Sequence, residues 1–108
     1  KYTAGGLDTG WRQYQTYGKW EVRAKFAAGY GITAYIGLYP QDGSWPPEIT
    51  FPEVLGREYW AGNYAQHWSN GSHQQESFKV WNTQIGSDFN QWHTYAVEWV
   101  PGAIYYFV

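Results

Sequence analysis

Between Lys19 and Phe26 the chain alternates without a break. Trp20, Val22, Ala24 and Phe26 fall on one face, and Lys19, Glu21, Arg23 and Lys25 on the other. A period of two is the signature of a half-buried strand, because successive side chains leave a pleated backbone on opposite sides. The pattern recurs from Ile32 to Tyr39, where Ile32, Ala34, Ile36 and Leu38 oppose Thr33, Tyr35, Gly37 and Tyr39. It returns from His93 to Val100, with Tyr95, Val97 and Trp99 on one side. Glu48–Leu55, Tyr59–Trp68 and Glu76–Gln84 are further expected strands. Pro101-Gly102 is expected to turn the chain so that Ala103–Val108 pairs back as a hairpin. Gln41-Asp42-Gly43-Ser44 reads as a loop. Short strands at regular spacing, punctuated by 13 Gly and 5 Pro and with no long helical period, predict an all-β sandwich or barrel. There is no internal repeat and no low-complexity linker, so 1–108 is expected to lie within one β-sandwich domain.

Composition narrows the function classes. Net charge is −2, which leaves no basic footprint for nucleic acid. No run of 18 apolar residues is long enough for a membrane helix. Cysteine is absent, which removes disulfides, thiolate metal sites and a cysteine nucleophile. His67, His73 and His93 show no two-histidine helical metal spacing, so neither metal nor cofactor is expected. Aromatic residues make up 22% of the chain and charged residues 15%. Flat rings suit strands, and those that a chain of this size cannot bury are suited to cover the apolar faces of pyranose sugars. The chain starts at Lys1 and stops at Val108 inside an apolar run, so both ends are expected to be cuts in a longer domain. Asn70-Gly71-Ser72 fits an N-glycosylation acceptor, a short pattern that also arises by chance.

The most informative stretch is Trp45-Pro46-Pro47-Glu48-Ile49-Thr50-Phe51-Pro52-Glu53-Val54-Leu55-Gly56. Glu48 and Thr50 share a face of a regular strand, but Glu53, five residues after Glu48, falls on the opposite one. One β-bulge between them restores the parity and sets Glu53 beside Glu48 and Thr50. Pro52 favours that placement, since proline cannot donate to a ladder and is tolerated at bulges. Two glutamates on one open face suit glycoside hydrolysis. One stays ionised to attack the anomeric carbon; the other protonates the leaving oxygen and then deprotonates water. Retention requires carboxyl groups about 5–5.5 Å apart, whereas four residues of strand span about 13 Å. The two side chains must therefore lean together. Two solvated carboxylates on an exposed strand would leave the same trace in a sequence.

This stretch resembles the active-site motif of glycoside hydrolase family 16, the laminarinase and lichenase-like β-glucanases. In its bulged form that motif is Glu-x-Asp-x-x-Glu, often followed by Val-Leu-Gly. Here it reads Glu48, Thr50, Glu53 and Val54-Leu55-Gly56. Further blocks stand in the family's order. Tyr17-Gly18-Lys19-Trp20-Glu21-Val22-Arg23-Ala24-Lys25 is similar to its first core strand. Gln66-His67-Trp68 is similar to the strand after the catalytic one, and Trp92-His93-Thr94-Tyr95-Ala96-Val97-Glu98-Trp99 with Pro101-Gly102 to a later segment. The resemblance implies a concanavalin A-like β-jelly-roll sandwich, here an incomplete portion of it, with a concave cleft. It implies a retaining, endo-acting hydrolase or transglycosylase, with Glu48 as nucleophile and Glu53 as acid/base. It further implies that Trp45, Arg23, Thr50 and His67 serve substrate binding. The implied partner is a polysaccharide, and the implied protein a secreted monomer.

The chain departs from the family pattern at three places. Thr50 stands where the motif has Asp, removing a negative charge between the glutamates and so lowering the proton affinity expected of both. Thr33 and Gly37 stand where tryptophans are common, which reduces stacking surface. The chain is also about half as long as members usually are. Three functions are compatible with the residues: a β-glucan hydrolase or transglycosylase, a carbohydrate-binding jelly roll that lost catalysis, and a structural β-sandwich.

Overall fold

The computed structural model describes residues 3–108. It is all-β, with seven strands in two antiparallel sheets. The strands are β1 (Gly18–Ala24), β2 (Thr33–Leu38), β3 (Glu48–Leu55), β4 (Ala61–Ser69), β5 (His73–Trp81), β6 (His93–Val100) and β7 (Ala103–Phe107). One sheet runs β2-β3-β4-β5 and the other β1-β6-β7. Residues from both sheets form the core, in which Ile49, Phe51 and Val54 of β3 and Tyr64 of β4 join Tyr95 and Val97 of β6, with Phe26 and Phe89 from loops. Phe89 and Tyr95 stack at 6.0 Å with planes 11° apart, and Phe26 meets Tyr95 edge-on at 5.4 Å. These are the inward faces expected from the alternation, and the arrangement is a partial jelly-roll sandwich.

The strand expected over Lys19–Phe26 ends at Ala24, which leaves Phe26 in the loop that follows, and two other strands differ more from expectation. The strand expected over Tyr59–Trp68 begins at Ala61, because Gly56–Glu58 makes a 3₁₀ turn. The carbonyls of Tyr59 and Trp60 then accept from Phe89 N and Asn82 N, both at 2.8 Å, instead of entering the β5 ladder. The strand expected over Glu76–Gln84 spans His73–Trp81 and gives way to a single helical turn, Asn82–Ile85. Gln84 accepts from Trp81 N at 2.7 Å, and left-handed Gly86 (φ 83°) closes the turn. Four residues are too few to show a helical period in the sequence.

The glycine ending the Val54-Leu55-Gly56 run has a steric cause. A Cβ on Gly56 would stand 2.7 Å from the carbonyl oxygen of Gly29 and 2.9 Å from that of Ala27, so only glycine lets the backbone after Phe26 cross here. That crossing is sealed by Gly29 N donating to Gly56 O at 2.9 Å and Gly56 N donating to Ile32 O at 2.8 Å.

Candidate active site

The bulge expected between Glu48 and Glu53 is present. Along β3 and β4 the register pairs Glu48 with His67, Thr50 with Ala65 and Glu53 with Asn63. Two residues of β3, Phe51 and Pro52, therefore stand against one of β4, Tyr64, and both are fully buried. Glu48, Thr50 and Glu53 thus emerge on one face, while Ile49, Phe51 and Val54 enter the core. The register carries that face across the sheet. His67, Ala65 and Asn63 of β4 stand beside Gln75, Ser77 and Lys79 of β5. Together these nine residues and Phe78 line a cleft of about 540 Å³.

The carboxylate of Glu48 is held from several sides. The Thr50 hydroxyl donates to Oε1 at 2.7 Å, and the Trp45 indole N–H donates to Oε2 at 2.7 Å. The Tyr39 hydroxyl is a third donor. Burial is the largest single influence on this group and opposes ionisation. Hydrogen bonds from Thr50, Trp45 and Tyr39, with the nearby His67, outweigh it and hold the carboxyl below its ordinary value. Tyr39 is pushed the other way: burial, a hydrogen bond to Tyr35 and the Glu48 charge all raise its pKa. Trp45 reaches Glu48 because its loop is tightly folded, with Ser44 N donating to Asp42 Oδ1 at 2.9 Å and Gly43 in the left-handed region.

His67 lines the cleft opposite Glu48, and its Nδ1 lies 3.0 Å from Nε2 of His73. Their rings stack at 5.2 Å with planes 16° apart, and Trp45 packs on both, at 5.3 Å from His67 and 4.7 Å from His73. Glu53 sits between Tyr35 of β2 and Asn63 of β4. At the Glu53 end of the cleft, Lys79 lies 3.6 Å from Glu58 and over the Trp81 ring at 5.4 Å.

Of the expected substrate-binding residues, the structure brings Trp45, Thr50 and His67 to the carboxylates. It does not bring Arg23. That residue lies on β1, in the other sheet, with its guanidinium 4.6 Å from the centre of the Trp92 ring. Alternation placed Arg23 on an outward face but could not say of which sheet. Nothing in the sequence pattern singles out Tyr39 or His73 for the site. Tyr39 is legible only as a member of the polar face of the strand expected over Ile32–Tyr39. His73 could have been found from Asn70-Gly71-Ser72, the hairpin tip that folds β5 back on β4 and sets His73 diagonally across from His67. Among the described residues no group of three or more His, Asp or Glu is arranged to hold a metal ion.

Comparison with known proteins agrees with the fold. The endo-1,3-1,4-beta-glycanase ExsH of Rhizobium meliloti is 34% identical over 106 residues, covering 98% of this chain and 22% of that protein. The beta-glucanase of Bacillus amyloliquefaciens is 34% identical over 102 residues, covering 90% and 40%. Among solved structures, LamAcat from Zobellia galactanivorans superposes with a TM-score of 0.68 at 27% identity, over 86% of this chain and 43% of that one. The laminarinase catalytic domain from Thermotoga maritima gives 0.66 at 26% identity, over 84% and 39%. The chain therefore spans less than half the length of these relatives. The profile described as Glycosyl hydrolases family 16 matches residues 1–108, and the chain belongs to that family.

Proposed function

We propose that this chain carries the catalytic strand of a retaining, endo-acting glycoside hydrolase that cleaves β-glucan-type polysaccharides by double displacement. The observation that carries the proposal is the bulge at Phe51-Pro52, which sets Glu48 and Glu53 on the same wall of one cleft. Glu48 acts as nucleophile. Its three donors favour the ionised form and occupy three of the roughly four lone-pair sites of the carboxylate, which leaves one for the anomeric carbon. Glu53 acts as acid/base. It protonates the glycosidic oxygen as the bond to the anomeric carbon breaks, leaving the sugar esterified to Glu48. It then takes a proton from the water, or in transglycosylation the sugar hydroxyl, that releases the ester.

A polymer-cleaving enzyme meets its substrate outside the cell, so the protein is secreted on this reading, and it acts as a monomer through a single cleft. One observation favours a second reading. Thr50 in place of the motif aspartate suits a carbohydrate-binding jelly roll that has given up catalysis. The test is reducing-sugar release from laminarin, lichenan, agarose and xyloglucan by the full-length protein, alongside binding to the same glycans. Release that disappears in Glu48→Ala while binding persists supports the hydrolase. Glu53→Ala should be slow on the polymers yet partly rescued on aryl glycosides, whose leaving groups need less protonation. Binding without release by the unaltered protein supports the second reading.

A further inference from the structure

His73 is not part of the reacting pair, yet it closes a chain of contacts that ends on Glu48. A 3.0 Å separation between two imidazole nitrogens holds only when one ring donates and the other accepts. That bond locks His67 and His73 into a near-parallel stack. The indole of Trp45 lies on both rings, tilted 46° to His67 and 43° to His73. In that position its N–H is aimed at Glu48 Oε2. Trp45 is 51% exposed, so nothing like full burial fixes the ring; the histidine stack supplies the orientation.

We propose that His73 is a positioning residue, which fixes Trp45 through the His67–His73 hydrogen bond and so keeps one of the nucleophile's donors in place. This rests on the assignment of Glu48 as nucleophile.

The experiment follows the Trp45 indole N–H of the full-length protein by ¹⁵N-edited NMR, assigned by its absence in Trp45→Phe, with kcat/KM measured against pH in parallel. In His73→Ala the indole signal should move toward that of a water-exposed tryptophan. The acidic limb of kcat/KM should rise by about 1 pH unit, as expected when an ionised carboxylate loses a donor. His73→Gln, whose side-chain amide can still bond to His67, should restore both. In a Trp45→Phe background His73→Ala should cause no further shift. An unmoved indole signal in His73→Ala, or a full shift in the Trp45→Phe background, overturns the proposal. If His73→Ala does not fold, His73→Phe, which keeps a flat ring but can neither donate nor accept toward His67, takes its place, and an unmoved indole signal there overturns the proposal. Absence of any hydrolysis would defeat the hydrolase assignment, while the NMR measurements would still decide the role of His73.

Discussion

Replacing Thr50 by valine isolates one atom of the site. Thr50 is 5% exposed, and its hydroxyl lies 2.7 Å from Glu48 Oε1. Valine keeps the branched shape, so the packing around the bulge survives while the donor disappears. A hydrogen bond to a charged group is worth about 1.5–3 kcal/mol, or roughly 1–2 pKa units at 1.36 kcal/mol per unit. The cleft is open to solvent, and Trp45 and Tyr39 remain to share the charge, so the lower end, about 1 unit, applies. The sign follows from which form is stabilised. Losing a donor to the carboxylate raises the Glu48 pKa, and the acidic limb of kcat/KM moves up. Stability follows the same linkage. The folded pKa of Glu48 lies below its unfolded value, so its contribution is complete above the unfolded pKa and is lost as pH falls through the folded one. Thr50→Val should therefore lower unfolding free energy by about 1 kcal/mol at pH 7, and by less once Glu48 is protonated in both states. The assays are a pH–rate profile of the full-length protein and its variant, and urea unfolding at neutral and strongly acidic pH. A limb that stays in place or moves down, or a stability loss equal at both pH values, refutes the reasoning.

Thr50→Asp should also raise the optimum, by setting a like charge beside Glu48, and should increase hydrolysis near neutral pH; a pH–rate profile that neither moves nor rises counts against a charge role for this position. Gly62→Ala tests the support of the bulge, because its Cβ would stand 2.7 Å from Phe89 Cε1 and 3.1 Å from Pro52 Cβ. Denaturant unfolding should show a loss of about 1–3 kcal/mol, with reduced activity as Pro52 is pushed and Glu53 moves. Arg23→Ala removes a cation from the Trp92 ring, on the side of the other sheet, and should leave kcat/KM on a β-glucan within about twofold, while surface cation–π loss costs about 0.5–1 kcal/mol of stability.

The sequence by itself determined where most strands lie, which faces turn inward and that Glu48 and Glu53 share a face. Period-two alternation is a property of the backbone, so Trp20, Ile36 and Val97 could be assigned inward before any partner was known. Parity is equally local: Glu48 and Glu53 five apart, with Pro52 between, require one extra residue, and the register shift between Thr50 and Glu53 supplies it. What tertiary structure decided were relations between strands, which no spacing along one strand encodes. Arg23 and Glu48 both lie on polar faces of alternating strands, but pairing order put them in different sheets. Tyr39 became a donor to Glu48 because β2 docks beside β3, and His73 became a support for Trp45 because a hairpin returns it to His67. The end of β5 at Trp81 was set by a loop whose Asn82 bonds to Asp88 at 2.7 Å and closes on Gly86. Such contacts depend on which chain segments meet in space, and only packing of the two sheets on a shared core brings them together.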